Sequence, residues 1–301
     1  MLLAMSSFNQ INTNNVSNQL VILENGDSIS NCYTAITPND TNISALLFLV
    51  PGFGESPHDV LIQTDLPFNA ANRGIATIIP LFQNGVESYG FDQESQLAFK
   101  RIFDDATTRY NIESDKYFLG GFSMSGAAAL KFAETQEVKP MALFMIDSPI
   151  DFERFYLSLI RDKEIFGKMN NDRIYQQLLD DVTRIMGGNP YDVKESYYKN
   201  SPFSASDSSQ AAIQSLGNLP IRYYIEPAIE WWLNERNTDV YGLNLMDATS
   251  FINQIKNMGN NKAELIITND KGYRRPSGQR HPHSWSIVDN DNLLEWMSLY
   301  L

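Results

Sequence analysis

Short, nearly unbroken apolar runs recur along this chain, each followed by a stretch of helical period. This alternation restricts the fold more than any other feature. The runs are "ALLFLV" (45–50), "GIATIIPL" (74–81), "KYFLG" (116–120), "MALFMI" (141–146), "IRYYI" (221–225) and "AELIIT" (263–268). Runs of this length and character suit strands covered on both faces, the condition of strands in parallel sheets. Between them, "ESQLAFKRIFDDATTRY" (94–110) places Leu97, Phe99, Ile102, Phe103 and Ala106 near helical spacing, and 126–136, 247–258 and 289–300 are further amphipathic candidates. Ahead of the series, "NQLVILE" (18–24) and "ISNCYTAIT" (29–37) flank "NGD", a hairpin-like turn. The order predicts an α/β fold: a doubly wound, mostly parallel sheet with an antiparallel hairpin at its start.

One interval breaks the rhythm. About 75 residues separate "MALFMI" from "IRYYI", and they include "ERFYLSLIRDKEIFGK" and "DRIYQQLLDDVTRIMGG", both helical in period. A crossover of that size is read as a helical cap insertion over 150–215, dividing a core of 18–149 and 216–301. Extra helices without a functional role are the alternative. The Asn-rich residues 1–17 read as a flexible arm.

Composition excludes several classes of function. Lys and Arg total 23 against 36 Asp and Glu, a formal charge of -13 in 301 residues. So acidic a chain repels phosphate backbones, and no nucleic-acid partner is expected. Cys32 is the single cysteine, so no internal disulfide forms. The opening "MLLAMSSFNQ" lacks a basic leader, and no window approaches a membrane span, which favours a cytoplasmic protein. His281 and His283 lack a third ligand at clear spacing, so no metal is expected, and no phosphate or dinucleotide fingerprint calls for a cofactor.

The chemistry concentrates in "KYFLGGFSMSGAAALKFAE" (116–134). A serine presented at a tight strand-to-helix turn needs small neighbours at -2 and +2, where the backbone is crowded. Ser123 has Gly121 and Ser125 there, whereas Ser125 would have Ser123 and Ala127, so Ser123 is the preferred nucleophile.

Here the chain resembles the α/β-hydrolase family, whose nucleophile motif is G-x-S-x-G; Ser125 replaces the usual second glycine. The resemblance covers roughly residues 18 to 301 and implies a serine hydrolase with the order nucleophile, acid, histidine. The Met124 amide, at the start of the following helix, is placed to bind an oxyanion. The family takes a second donor from the loop after the third run, usually in a His-Gly-x motif. Here "LVPGFGES" has Pro51 for that histidine, and Phe53 is the candidate donor, with Gly54 next.

Three histidines narrow the choice of base. His58 precedes the serine and reads as a surface or capping residue. His281 and His283 lie between the last strand and the terminal helix, where the family carries its base. His283 is preferred, since His283-Ser284-Trp285 looks like the H-x-W of the esterase D and antigen 85 groups. The acid is expected after "PIRYYI", where Ala228 stands near the family's usual aspartate. Glu226, Asp239 and Glu230 remain, with Glu226 nearest the sheet's carboxyl edge.

The basic loop "KGYRRPSGQRH" reads either as an anion-attracting mouth or as a solvated turn. Trp231-Trp232 and "ESYYKN" read either as pocket lining or as packing. The whole implies a cofactor-free enzyme cleaving small-molecule or peptide carboxylic esters through an acyl-enzyme on Ser123. A peptidase, an acyltransferase or a non-catalytic binding protein of the same fold remain alternatives, and the oligomeric state is not encoded in any motif.

Overall fold

A computed structural model describes residues 15–20, 32–39, 42–82, 85–166 and 172–301. Eight strands form one sheet: β1 (Asn15–Leu20), β2 (Cys32–Thr37), β3 (Ala45–Val50), β4 (Ile75–Leu81), β5 (Tyr117–Phe122), β6 (Ala142–Ile146), β7 (Ile221–Ile225) and β8 (Ala263–Ile267). The spatial order is β1-β2-β4-β3-β5-β6-β7-β8. The β1–β2 and β2–β4 pairs are antiparallel, and every pair from β4–β3 onward is parallel. Only β2 runs against its neighbours, and the order of the strands turns at β3, so the C-terminal ends of β3, β5, β6 and β7 form one rim on which loops and side chains converge. The "NGD" turn lies outside the described residues, as does the expected arm up to 14; residues 15–17 already belong to β1.

The helices are α1 (Pro57–Gln63), α2 (Leu66–Ala71), α3 (Gln93–Arg109), α4 (Met124–Thr135), α5 (Phe152–Phe166), α6 (Asp172–Met186), α7 (Lys194–Asn200), α8 (Ile229–Arg236), α9 (Leu245–Asn257) and α10 (Asn290–Ser298). Two apolar layers flank the sheet, and the side-chain alternation of the strands decides which layer each residue joins. Phe48 and Leu119 pack with α3 and α4 in one layer, whereas Leu47, Phe118 and Phe144 pack with α2 and α10 in the other. On α3 the buried stripe is Ala98, Phe99, Ile102, Phe103 and Ala106. Leu97, expected on that stripe, is 52% exposed, because Ala98 and Phe99 already fill the face turned to the sheet.

The interval between β6 and β7 holds α5, α6 and α7, as its two helical periods predicted, with the shorter α7 in addition. Phe152, Tyr156, Leu159, Leu179, Val182 and Tyr197 of these helices belong to the same apolar cluster as Phe99 and Phe132 beside the sheet. The insertion is thus tied to the core by shared hydrophobic contact. No helix among the described residues is long and apolar enough to cross a membrane.

Candidate functional site

β5 ends at Phe122 and α4 begins at Met124, so Ser123 makes the whole strand-to-helix turn by itself. Its φ of 55° and ψ of -133° lie where L-residues are strained, and its N–H donates to the Ile146 carbonyl of β6 at 2.8 Å. Two glycines permit the turn. A Cβ on Gly121 would stand 2.2 Å from the Ser125 carbonyl oxygen, and one on Gly126 would stand 1.8 Å from Ser148 Oγ. Ser125, which departs from the family's second glycine, is buried without such a clash at its own position. The crowding that demands a small residue falls one step later, on Gly126.

His283 reaches this turn from the loop before α10. Its Nε2 lies 2.9 Å from Ser123 Oγ, and its Nδ1 lies 2.9 Å from Asp147 Oδ2. A carboxylate oxygen only accepts, so Nδ1 carries the proton of that bond and Nε2 is left to accept from the serine hydroxyl. The ring packs 4.6 Å from Phe122, and Phe122 in turn packs 5.0 Å from Trp285. Trp285 therefore acts on the imidazole through Phe122 rather than as its direct wall.

The carboxylate at His283 is neither Glu226 nor Asp239. It is Asp147, the first residue beyond β6 and the next rim position from Ser123. Its φ is 45°, its N–H donates to Tyr224 O at 2.9 Å, and Asn244 Nδ2 donates to its Oδ1 at 2.9 Å. Glu226 is fully buried one strand further on and faces another loop. Its Oε2 accepts from Lys271 N at 2.8 Å and Gly272 N at 3.1 Å, and its Oε1 pairs with Arg280. Asp239 caps a short helical turn at Tyr241 and is held by both Nη atoms of Arg161, at 3.0 and 2.5 Å, which keep its carboxyl below the usual range. Glu230 lies exposed on the first turn of α8. Sequence reading placed the acid one strand too far along because it followed the family's usual position. The signal that points to Asp147, an acidic residue ending an apolar run at the sheet's rim, is the same one that favoured Glu226.

The other histidines have different surroundings. His58 is exposed on the first turn of α1. His281 is buried against Trp231 and Trp232, with ring centroids 5.0 and 5.6 Å away, and its Nε2 lies 3.3 Å from Arg274 Nη2. Burial first, then the charge of Arg274, pushes its pKa down to about 3.

Ser123, His283, Asp147, Phe53 and Met124 all line one cavity of about 450 Å³. The Met124 amide opens α4, where no intrahelical acceptor exists. Phe53 lines the same cavity, whereas Gly54, the other loop residue considered, does not. The loop bearing Phe53 is anchored by a residue that no motif announced. Glu55 Oε2 accepts from Gly52 N at 2.9 Å and from Trp285 Nε1 at 3.0 Å, joining the β3 loop to the histidine loop. Burial holds its carboxyl above the usual range against those two hydrogen bonds.

The insertion supplies the rest of the wall: Phe155, Leu159 and Asp162 from α5, and Tyr175 and Leu178 from α6. Trp232 also lines the cavity, whereas Tyr197 of "ESYYKN" is buried and donates to Gly188 O at 3.0 Å. In the basic loop, Arg275 pairs with Asp65 at 2.7 Å and Arg280 with Glu226, so both are engaged by carboxylates. No group of three or more His, Cys, Asp or Glu positioned to hold a metal occurs among the described residues.

The mostly parallel eight-stranded sheet with flanking helices is that of the α/β-hydrolase fold. Solved structures similar to the chain include an S-formylglutathione hydrolase from Agrobacterium tumefaciens (TM-score 0.65, 11% identity, covering 98% of each chain). An esterase of Pyrococcus furiosus gives a TM-score of 0.60 at 12% identity, over 99% of this chain and 96% of that one. The fluorophosphonate-binding serine hydrolase F of Staphylococcus aureus gives 0.59 at 15% identity, over 94% and 98%. At these identities the likeness is one of fold. No protein-family model matches the sequence, and no curated protein matches it significantly.

Proposed function

We propose that the protein is a serine hydrolase that cleaves carboxylic esters. The observation that carries this reading is the continuous line of hydrogen bonds Ser123 Oγ to His283 Nε2 and His283 Nδ1 to Asp147 Oδ2, each 2.9 Å, at the wall of the cavity of about 450 Å³. Ser123 Oγ attacks the acyl carbon as its proton passes to His283 Nε2, and the carbonyl electron pair moves onto oxygen. The Met124 and Phe53 amides receive that oxyanion. Asp147 fixes the imidazole tautomer and stabilises the imidazolium once formed. Collapse of the tetrahedral intermediate expels the alkoxide, which takes the proton from His283. Water, deprotonated by the same imidazole, then releases the acid.

The solved structures of the same fold include proteins described as an esterase, an S-formylglutathione hydrolase and an acylaminoacyl peptidase, so a peptidase is the second reading. The insertion serves as a cap, since α5 and α6 furnish the cavity wall facing Ser123. A non-catalytic role is suggested by Ala228 at the family's usual acid position and by Ser125 at the +2 position; Asp147, 2.9 Å from His283 Nδ1, offers a carboxylate against the first of these. The test is labelling with a fluorophosphonate followed by peptide mass spectrometry. Stoichiometric adduct on Ser123, lost in His283→Ala, is the expected result, and a folded protein that takes no label overturns the reading.

A further inference from the structure

Asp162 stands out in the wall of the cavity because its surroundings do not match its charge. It projects from α5 into the space shared with Ser123 and His283, and it is only 8% exposed. Its Oδ1 is buried and receives no hydrogen bond from the protein. The nearest cation, Arg161 Nη1, is 3.6 Å away, outside hydrogen-bond reach, and both Nη atoms of Arg161 already bind Asp239. Buried carboxylates in native proteins are met by donors, and one without them is a place where a ligand supplies what the fold withholds.

Three further observations define that ligand. Arg161 offsets one of the two carboxylates beside it, which leaves the Asp162–Arg161–Asp239 group with one net negative charge. Lys163, the next residue, is exposed and donates to Gln176 Oε1, and Arg154 is buried and paired with Asp247, so its charge reaches Asp162 only as a minor influence. The cavity that Asp162 lines also carries the aromatic rings of Phe155, Tyr175 and Trp232, surfaces that receive an alkylammonium better than a free anion. Gly242 leaves room beside the acid, since a Cβ there would stand 3.2 Å from Asp162 Oδ2.

We propose that Asp162 is the specificity-determining residue of this cavity and binds a protonated primary amine carried by the substrate's acyl or alcohol portion. The proposal rests on the ester-hydrolase reading for what becomes of the bound molecule, but not for the binding itself. Burial pushes the carboxyl of Asp162 up to about 6, so at neutral pH the ionised form prevails and a charge-assisted hydrogen bond forms.

The experiment is calorimetric titration at pH 7.5 with n-butyl-, n-hexyl- and n-octylammonium, each against the 1-alkanol of equal length. At one or more lengths the ammonium is expected to bind at least about tenfold more tightly than the alcohol, the scale of one hydrogen bond to a charged group. Asp162→Asn removes that preference and leaves the alcohol's affinity within about threefold. Equal affinities in the wild-type protein, or a preference that survives in Asp162→Asn, overturn the proposal. Should Asp162→Asn fail to fold, Asp162→Leu, which removes the charge and leaves no polar group buried, is the second variant and is expected to abolish the ammonium preference. Fluorophosphonate labelling of Ser123 is scored separately. Ammonium preference without labelling leaves Asp162 assigned and sinks the hydrolase reading, and labelling without the preference does the reverse.

Discussion

The ends of β6 and β7 form an instructive pair. Each strand stops at the same rim of the sheet, and each is followed at once by a buried carboxylate, Asp147 after Ile146 and Glu226 after Ile225. Asp147 meets an imidazole and a side-chain amide, His283 and Asn244. Glu226 meets two backbone N–H groups and a guanidinium, those of Lys271, Gly272 and Arg280. The difference lies in which part of one long loop crosses each position. Its first half, 268–272 with Arg280 returning, folds over Glu226, and only afterwards does the chain deliver His283 above Asp147. Glu226 thereby holds the loop that carries the base, while Asp147 touches the base itself. In the mechanism we propose, the same residue class at equivalent strand ends serves positioning in one case and proton chemistry in the other.

That contrast breaks if the two carboxylates respond alike to substitution. The largest effect is expected for Asp147→Asn, because the amide donates to Nδ1, moves the proton to Nε2 and leaves the imidazole unable to accept from Ser123. Ester turnover should fall on the order of 10⁴-fold with little change in melting temperature. A loss under tenfold would mean that another carboxylate orients His283. Glu226→Gln should do the opposite. Removing the charge of buried Glu226 opposite partly exposed Arg280 costs about 2–3 kcal/mol of stability by denaturant titration, while kcat in the folded fraction stays within about tenfold. If Glu226→Gln abolishes turnover in fully folded protein, the division of roles is wrong.

Gly126→Ala sharpens the picture at the serine turn. Its new Cβ meets Ser148, the residue after Asp147, so the strain of overpacking, about 1–3 kcal/mol, falls on both the turn and the acid. Gly126→Ala with Ser148→Gly, which removes both the Oγ and the Cβ that stands 2.6 Å from the new methyl, should recover part of the loss, measured as a double-mutant cycle.

The smallest effect concerns His281, whose pKa is depressed to about 3 from the ordinary 6.5. Its unfolded form binds a proton that the folded form refuses. The stability it contributes is therefore present above pH 6.5 and is lost as pH falls toward 3. His281→Phe should flatten the decline of melting temperature between pH 6.5 and 4. Asp151 and Asp162, both pushed up to about 6 by burial, act with the opposite sign, losing stability as pH rises from about 4 to 6. Their contribution is common to both proteins and drops out of the difference.

Much of the architecture was legible in the chain because strands covered on both faces leave a local trace. "ALLFLV", "GIATIIPL" and "IRYYI" became β3, β4 and β7 within a residue at either end, and the two periods of the long interval became α5 and α6. The turn at Ser123 was legible for the same reason, since Gly121 and the small residues of α4 answer to crowding within a few positions of chain. Glu55 left no such trace. Its partners, Gly52 and Trp285, include one 230 residues away, and nothing in "GFGESPHD" foretells a contact of that range. Asp147 falls between the two cases, visible as an acid at a strand's end but indistinguishable there from Glu226.

The sequence by itself determined the alternation of elements, the nucleophilic turn and the shortlist of histidines, because each depends on sterics and periodicity over a handful of adjacent residues. Only the tertiary structure decided which carboxylate faces His283, how Glu55 ties two loops together, and that Asp162 Oδ1 stands without a hydrogen bond in the cavity wall. Those are relations between segments far apart in the chain. A hydrogen bond is made or missed over a fraction of an ångström, a distance set by how the layers pack and not by any residue's neighbours in sequence.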